Sequence, residues 1–217
     1  MSEPMKLAAT RLNRRTMLFA ALAAAVAGGP AAHADDTDTL SDAIFNDPTA
    51  PATGNPNGDL TIVTFFDYNC PYCKGAEPNL EREVKTDGKI RLVYKDWPIL
   101  TDASIVGAQL ALAAKYQEKY DIVHQALMAI PGSKVSADQM RGAIQLAGVD
   151  MTRLDDDLKA HGDEITALLR RNIAQAQSLD LQGTPAYIVG KYRVTSALNY
   201  EGFKRVVADA RAQARKR

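Results

Sequence analysis

Both cysteines of the chain lie in one short segment, Cys70-Pro71-Tyr72-Cys73, with two residues between them. The run 60–66, which is apolar and rich in β-branched and aromatic residues, precedes this segment and predicts a strand. Pro71 is typical of the first turn of a helix, so we expect a helix to begin at Cys70. A Cys-x-x-Cys at the junction of a strand and a helix indicates a redox-active disulfide pair.

The predicted helix gives the two sulfurs different chemistry. Cys70 would lie at the helix N-terminus, where unpaired N–H groups and the helix dipole favour an anion. We therefore expect the pKa of its thiol to lie below the free value of about 8.5. Cys73 follows nearly one helical turn later, within disulfide reach but more buried. This spacing predicts Cys70 as the sulfur open to attack and Cys73 as the resolving sulfur. The Cys70–Cys73 disulfide is then the redox group, and we expect no metal and no separate cofactor.

Strand and helix patterns alternate around this pair in an order that predicts an α/β protein. The segment 90–95 predicts a second strand, and 185–189 with 192–194 predicts a hairpin. Residues 101–181, between these strands, are almost wholly helical in pattern. A proline-rich stretch at 47–58, after a short possible helix, predicts an arm without regular structure. We therefore divide the chain into a signal peptide (1–34), an arm (35–58), a first α/β part (59–100), a helical domain (101–181) and a second α/β part (182–217).

The N-terminal region is predicted to be a secretory signal peptide. Its basic residues are Lys6, Arg11, Arg14 and Arg15. The uncharged run 17–27 that follows is too short for a bilayer span, which needs about 20 residues. Ala32-His33-Ala34 fits a signal-peptidase site, with an uncleaved membrane anchor as the alternative. Arg14-Arg15 also resembles a twin-arginine motif, so both the Sec and the twin-arginine routes stay open. Either route predicts a periplasmic protein, in which a disulfide can persist.

Charge and composition exclude other kinds of site. Lysine plus arginine and aspartate plus glutamate each number 26, so the zero formal charge gives no support for a nucleic-acid partner. A zinc site takes four ligands, and one cysteine pair with scattered histidines does not supply them. We interpret His124 and His161 as isolated residues. The sequence also has no serine or histidine motif from which a catalytic triad could be built.

Four segments of the chain together resemble the DsbA-like thiol-disulfide oxidoreductases. The resemblance covers roughly residues 45–212 and implies a thioredoxin-like fold with an inserted all-helical domain. Glutaredoxins share the Cys-Pro-Tyr-Cys segment but are much shorter and lack the helical block. The four segments are Gly54-Asn55-Pro56, Phe65-Phe66-Asp67-Tyr68-Asn69-Cys70-Pro71-Tyr72-Cys73-Lys74, Lys95-Asp96-Trp97-Pro98 and Gly183-Thr184-Pro185-Ala186.

The resemblance also implies a substrate site opposite the active-site helix that holds Pro71 and Tyr72. Gly183-Thr184-Pro185 corresponds to the cis-proline loop of the family, which packs against the disulfide. The Thr184 backbone would pair with an extended substrate chain. The implied partners are reduced or unfolded exported proteins and a membrane-bound protein that restores the disulfide. We expect a monomer, because residues 35–58 are too short and proline-rich for a substantial coiled coil.

Thr64 departs from the family pattern. Many relatives carry a buried acid at this position, six residues before the first cysteine. A threonine cannot accept the proton of Cys73, so the protein must use water or another group. Lys95 and Asp67 are candidates, although we expect both to make ordinary structural or surface contacts.

The sequence therefore predicts a periplasmic oxidase that donates disulfides to exported proteins. Two alternatives stay open. One is a disulfide isomerase or reductase of the same fold. The other is a copper-binding or copper-tolerance protein in which Cys70 and Cys73 are Cu(I) ligands, although the chain lacks a Met-rich or His-rich cluster.

Overall fold

The computed structural model describes residues 36–216, and the predicted signal peptide lies outside the described residues. No helix within that range is both long enough and apolar enough to cross a membrane. Lys115–Gln117 forms a short 3-10 turn. The other elements are α1 (Asp36–Phe45), β1 (Ala52–Gly54), β2 (Leu60–Phe66), α2 (Pro71–Asp87), β3 (Ile90–Asp96), α3 (Asp102–Ala114), α4 (Tyr120–Ala129), α5 (Ala137–Leu146), α6 (Met151–Ala160), α7 (Gly162–Ser178), β4 (Ala186–Val189), β5 (Tyr192–Val194) and α8 (Tyr200–Ala214).

The described strands form one mixed sheet in the order β1-β3-β2-β4-β5. β2 and β3 run parallel, because α2 carries the chain back to the starting end of the sheet. β1 and β4 pair antiparallel with β3 and β2, respectively. Phe66 and Asp96 are register partners at the carboxyl ends of β2 and β3. The loops that follow these two strands therefore lie side by side, where α2 begins.

The two faces of the sheet carry separate apolar clusters, because side chains alternate along each strand. The cysteine face packs against α2, α8 and the helices after β3, and its strand residues include Ile62, Phe66, Leu92, Tyr94 and Tyr187. Cys70 and Cys73 belong to this cluster. The opposite face, which we call the α1/α7 face, packs against these two helices and includes Val63, Phe65, Val93 and Ile188.

Helices α3 to α7 all lie between β3 and β4. This arrangement confirms the predicted α/β fold with an inserted helical domain. α3 is the central helix of the insertion and is apolar on most sides, with Leu110 and Leu112 each 1% exposed. Gly107 allows a close approach, since a Cβ there would lie 2.7 Å from the Met140 sulfur of α5 and 3.4 Å from the Tyr68 ring. The insertion thereby packs directly onto the loop that leads to Cys70.

The arm at 35–58 has more regular structure than the sequence predicts. It contains α1 and the edge strand β1, whereas we expected no regular structure after the short helix. Backbone pairing of Ala52 with Val93 defines β1, and the carbonyl of Pro51 accepts a hydrogen bond from the Tyr94 N–H at 2.9 Å. A three-residue edge strand has too few side chains to show an apolar alternation, so its sequence does not predict it.

Candidate active site

Cys70 is the N-cap residue of α2, and Pro71 occupies the first helical turn. The Cys70 backbone is extended, with φ −80° and ψ 113°. Its Sγ accepts a hydrogen bond from the backbone N–H of Cys73 at 3.2 Å. A sulfur at this point satisfies one of the N–H groups that a helix leaves unpaired at its start. The structure thus places Cys70 where a helix stabilises negative charge.

The loop before β4 lies against Cys70. Its Thr184-Pro185 peptide bond is cis. The Cys70 thiol donates a hydrogen bond to the Thr184 carbonyl at 3.2 Å. Pro185 is buried, while Gly183 and Thr184 are half-buried. The fold therefore brings a main-chain oxygen that is distant in sequence onto the first sulfur.

The two cysteines are equally buried, which contradicts the expectation that Cys73 is the more buried one. Each residue is 2% exposed, because the loop at Thr184 covers Cys70 as well. Pro71 and Tyr72, between the two cysteines, are exposed. Solvent exposure therefore does not distinguish the two sulfurs, and the balance of burial against hydrogen bonding at each one must do so.

Hydrogen bonding and burial shift the pKa values of the two thiols in opposite directions. A hydrogen bond from the Cys73 thiol lowers the pKa of Cys70 to about 6, although burial opposes this shift. The Thr184 side chain and the backbone N–H groups of Cys73 and Tyr72 lower the pKa further. Burial, and next the neighbouring Cys70, raises the pKa of Cys73 far above its usual range. At neutral pH, Cys70 is therefore mainly a thiolate and Cys73 a thiol. This difference matches an attacked sulfur and a resolving sulfur.

Asp67 holds the loop between β2 and α2 in place. Its carboxylate accepts hydrogen bonds from the Asn69 N–H at 2.7 Å and the Ser104 hydroxyl at 2.7 Å. It also accepts the N–H groups of Ile99 and Leu100 at 2.8 and 3.0 Å. These four donors occupy the carboxylate, which confirms that Asp67 makes structural contacts. Asp67 thus joins the cysteine loop to the start of the inserted helices.

A second set of contacts joins Asn69 and Lys74, which flank the cysteine pair, to the segment between α4 and α5. The Asn69 side chain accepts the Val135 N–H at 2.8 Å and donates to the Val135 carbonyl at 3.2 Å. Lys74 donates to the carbonyls of Ile130 and Gly132 at 2.7 and 2.9 Å. The sequence motif includes Asn69 and Lys74 but gives no sign of these partners. The inserted domain therefore helps to fix the position of the active-site helix.

Exposed apolar side chains lie near the start of α2. Tyr72 is 69% exposed, and Ile99 and Leu100 are 44% and 49% exposed. The backbones of Ile99 and Leu100 are bonded to Asp67, so both residues belong to the loop beside the cysteine pair. A surface of this kind can bind an apolar stretch of an unfolded polypeptide.

His124 is not isolated, contrary to our interpretation of the sequence. It is fully buried in α4, and its Nε2 lies 3.1 Å from Oε1 of Glu77, on α2. Its Nδ1 lies 3.1 Å from the Tyr68 hydroxyl. A separate hydrogen bond of 2.9 Å joins the Tyr120 hydroxyl to Asp96. Periodicity alone treats His124 as one more residue on the buried face of a helix, so the sequence does not reveal this cluster.

Lys95 lies on the wrong face of the sheet to act on the cysteines. It is next to Tyr94 along β3, so its side chain points to the α1/α7 face. There it forms a buried salt bridge of 3.2 Å with Asp47, which confirms its structural role. Thr64 is buried, and its side chain points to the cysteine face, as those of Ile62 and Phe66 do. The structure therefore leaves neither Lys95 nor Thr64 as the proton acceptor for Cys73.

The described residues hold no group of three or more histidine, cysteine or acidic side chains arranged to bind a metal ion. His161 stacks on the Tyr116 ring, with the ring centroids 3.6 Å apart. Its Nδ1 lies 3.5 Å from Glu164, so His161 makes local contacts within the inserted helices.

Comparisons with known proteins agree with this geometry. A family model described as Thioredoxin matches residues 46–209. The thiol:disulfide interchange protein DsbA of Bordetella pertussis is 27% identical over 203 residues, which cover 90% of this chain and 96% of that protein. The chain also matches an Na(+)/H(+) antiporter NhaA 1 of Mycobacterium with 26% identity over 144 residues, but it spans only 23% of the length of that relative.

Two solved structures show the same fold. A thioredoxin-like oxidoreductase from Silicibacter pomeroyi has a TM-score of 0.74 and 40% identity, and the match covers 79% of this chain and 97% of that one. A periplasmic thioredoxin-like protein from Salmonella enterica serovar Typhimurium has a TM-score of 0.70 and 28% identity, with 81% and 97% covered.

Proposed function

The chain belongs to the thioredoxin family, and we propose that it is a DsbA-like thiol-disulfide oxidoreductase that donates disulfides to exported proteins. The observation that carries this proposal is the environment of Cys70. Its sulfur lies at the start of α2, where it accepts a hydrogen bond from the Cys73 N–H and, as a thiolate, one from the Cys73 thiol. A thiolate that a helix and several hydrogen bonds stabilise is a good leaving group, and this favours release of an oxidised substrate.

The reaction transfers two electrons from a substrate dithiol to the Cys70–Cys73 disulfide. One substrate thiolate attacks the Cys70 sulfur, so a mixed disulfide forms and Cys73 leaves as a thiolate. The second substrate thiolate then attacks the substrate sulfur of this mixed disulfide, and Cys70 leaves. The substrate gains a disulfide and loses two protons, and the cysteine pair is reduced. No metal or organic cofactor takes part, because the cysteine pair itself accepts the electrons.

The substrate site includes Gly183, Thr184 and the exposed end of α2. The Thr184 carbonyl already accepts a hydrogen bond from Cys70, and a substrate strand that pairs with this loop would bring its cysteine to the same sulfur. Main-chain pairing of this kind does not depend on the substrate sequence. The exposed Tyr72, Ile99 and Leu100 add an apolar surface that suits reduced or unfolded proteins.

We propose that the protein acts in the periplasm and is a monomer. The signal-like N-terminus supports export by the Sec or the twin-arginine route, and so does the similarity to a periplasmic protein of Salmonella. Each turnover leaves Cys70 and Cys73 reduced, so a membrane-bound oxidising partner must restore the disulfide. An oxidised cysteine pair can persist in the periplasm, whereas the cytosol keeps thiols reduced.

The reduction potential of the Cys70–Cys73 pair, measured against glutathione, tests the direction of the reaction. We expect a value near the oxidising end of the family range, about −120 mV, because the low pKa of Cys70 stabilises the reduced form. A value near about −270 mV would instead indicate a reductase. Tight Cu(I) binding by the reduced protein without any thiol oxidation would overturn the proposal in favour of a copper protein.

Two cysteine variants test the roles of the sulfurs. Cys70→Ser should abolish oxidation of a reduced model protein, since the attacked sulfur is gone. Cys73→Ser, mixed with a disulfide-bonded model protein, should instead accumulate mixed disulfides through Cys70, because no resolving sulfur remains, and nonreducing gels detect them. Retention of activity by Cys70→Ser would contradict the mechanism. Rapid refolding of scrambled ribonuclease, together with a stable trimer in solution, would indicate an isomerase.

A further inference from the structure

One face of α2 carries three titratable side chains in a row, Cys73, Glu77 and Glu81. Their spacing of four residues puts each one turn beyond the last, with neighbouring Cβ atoms about 5–6 Å apart. Cys73 is 2% exposed, Glu77 is 6% exposed and Glu81 is half-buried. The row therefore leads from the buried sulfur towards solvent.

Glu77 has a partner that can share a proton with it. Its Oε1 lies 3.1 Å from Nε2 of His124, and the other ring nitrogen lies 3.1 Å from the Tyr68 hydroxyl. The rings of Phe66, Tyr94 and Tyr120 enclose the imidazole. A carboxyl and an imidazole in contact inside an apolar enclosure can hold one proton between them and release it to a nearby base.

The outer end of the row opens into a cavity. Glu81 lines a cavity of about 700 Å³ together with Tyr94, Lys85, Asp121 and Gln125. Burial, and then the negative charge of Glu77, raises the pKa of Glu81 above its ordinary value. A carboxyl of this kind can pass protons between solvent in the cavity and the buried pair behind it.

The proposed exchange reaction requires a group that can give a proton to Cys73 and take it back. Cys73 leaves as a thiolate when a substrate attacks Cys70, and burial makes the Cys73 anion unfavourable. Thr64 cannot donate or accept this proton, and Lys95 lies on the opposite face. All four hydrogen bonds of the Asp67 carboxylate are structural.

We propose that Glu77 and His124 form the proton-transfer pair of Cys73, and that Glu81 connects this pair to solvent in the cavity. The proposal rests on the thiol-disulfide exchange proposed above. When the Cys70–Cys73 bond breaks, the pair gives a proton to the Cys73 thiolate, and a water molecule can bridge the one-turn gap. When Cys73 attacks a mixed disulfide, its thiol returns the proton to the pair. The pair exchanges the proton with solvent through Glu81, so over a full cycle of reduction and reoxidation no net proton remains on the protein.

Other titratable groups surround Glu77 and His124, and they also contribute to the pH dependence of the reaction rates. They come from four elements besides α2, and none of them is a lysine or arginine. They are Tyr68 in the loop before α2, Tyr94 and Asp96 on β3, Asp121 and Tyr120 on α4, and Tyr187 on β4.

The two-phase reaction of the reduced protein with excess 5,5′-dithiobis(2-nitrobenzoate) tests the proposal. The first phase is the attack of Cys70 on the reagent, and the second is the attack of Cys73 on the mixed disulfide, each releasing one coloured thiolate. Glu77→Gln should slow the second phase by about 100-fold near pH 6, the lower end of general acid–base contributions. The difference should shrink as the pH rises, because hydroxide then removes the Cys73 proton. The first phase should not change.

Glu83→Gln is the matched control. Glu83 is on the same helix and is 5% exposed, but its charged neighbours do not include His124. They are Asp87 of α2 and Glu201, Lys204 and Arg211 of α8. Both phases should keep the wild-type rate in this variant. Glu81→Gln should slow the second phase by less than Glu77→Gln does, because water in the cavity can partly replace Glu81.

A purely structural role for Glu77 predicts a different outcome. In that case Glu77→Gln would slow both phases, or would slow the second phase equally at every pH. Either result would overturn the proposal. If Glu77→Gln does not fold, His124→Gln carries the same test with the same expected profile. A wild-type protein without a second phase would refute the exchange function itself. A normal wild type with an unchanged Glu77→Gln would refute the proton-transfer pair alone.

Discussion

The two faces of the sheet bury ionisable groups in opposite ways. On the α1/α7 face, Lys95 and Asp47 form a salt bridge of 3.2 Å between two buried side chains. On the cysteine face, Glu77 contacts His124 at 3.1 Å, and Asp96 keeps one carboxylate oxygen without a hydrogen-bond partner among the described residues. The first face pairs a carboxylate with a lysine ammonium group. The second places a carboxyl group in contact with an imidazole, two groups that can exchange a proton.

The pKa values of the two buried aspartates show the consequence. Burial alone would raise the pKa of Asp47, but hydrogen bonds from Thr49 and the charge of Lys95 lower it to about 2. Burial raises the pKa of Asp96 to about 6, although His124 and Tyr120 oppose this shift. The Asp47 carboxylate therefore stays charged far below neutral pH, and its salt bridge serves stability. A buried cluster without such a cation stays able to titrate, which proton transfer requires.

The largest expected effect is a pH dependence confined to the cysteine face. The pKa of the Cys70 thiol falls from 9.0 to about 6 on folding. The reduced protein therefore has the full stabilisation from this thiolate above about pH 9 and loses it as the pH falls through about 6. At about 1.4 kcal/mol per pH unit, the change amounts to roughly 4 kcal/mol. Urea unfolding of the reduced protein from about pH 5 to pH 9 measures it.

Cys70→Ser is the control for this pH dependence. Asp96 titrates in both proteins, so its contribution cancels in the difference between them. The variant should lack the rise in stability across this range. An equal rise in both proteins would show that groups other than the Cys70 thiolate cause it.

Lys95→Met should destabilise the protein by about 3 kcal/mol, since it removes the buried cation beside the Asp47 carboxylate and leaves only the more exposed Arg171 at 3.6 Å. Urea unfolding at neutral pH measures the loss. Both phases of the dithiobis(nitrobenzoate) reaction should keep their rates, because Lys95 lies on the α1/α7 face. The double variant Lys95→Met/Asp47→Leu should recover most of the stability. A slower second phase in Lys95→Met would show that the two faces are not independent.

Tyr120→Phe should cost about 2 kcal/mol, because it removes the hydroxyl that donates to the buried Asp96 carboxylate at 2.9 Å. Thermal or urea unfolding gives the free energy of unfolding. Tyr116→Phe is the matched control, since its hydroxyl donates to Glu164 in an exposed hydrogen bond. The control should lose no more than about 0.5 kcal/mol. Equal losses in the two variants would mean that the buried cluster has no special energetic role.

Thr49→Ala should have the smallest effect, about 1 kcal/mol at neutral pH, because one hydrogen bond of 2.6 Å to Asp47 is lost. Asp47 gives its full stabilisation above its ordinary pKa of 3.8 and loses it as the pH falls through about 2. Removing Thr49 raises that lower value, so acid unfolding should begin at a higher pH. Thr53→Ala, on the half-exposed β1, should leave the acid midpoint unchanged.

The motif-based predictions at the cysteine pair are local, and the local geometry agrees with them. Pro71 follows an N-cap cysteine, as the start of a helix requires, and the Thr184-Pro185 bond is cis. The resemblance to DsbA-like proteins is confirmed by the family model and by the match to a DsbA. The roles of the cysteines in catalysis and the periplasmic location stay predictions. The signal peptide at 1–34 also stays a prediction, since it lies outside the described residues.

The wrong predictions all concern contacts between distant segments. His124 looked isolated because Glu77 is 47 positions away, on another helix. Cys70 looked more exposed than Cys73 because the covering Thr184 carbonyl is 114 positions away. The strand β1 exists through its pairing with β3 and has no alternation of its own. Each of these features depends on packing, which residue spacing does not encode.

By itself, the sequence determined the position of Cys70 at the start of a helix and the order of strands and helices. These features follow from short-range rules, namely the helix N-terminus, the apolar periodicity and the position of proline. Only the tertiary structure decided which side chains surround the sulfurs. The packing of α4 against α2 brought Glu77 and His124 together, and strand alternation put Lys95 on the far face. A pKa depends on burial and on neighbours within a few ångströms, so proton handling becomes defined only when the chain has folded.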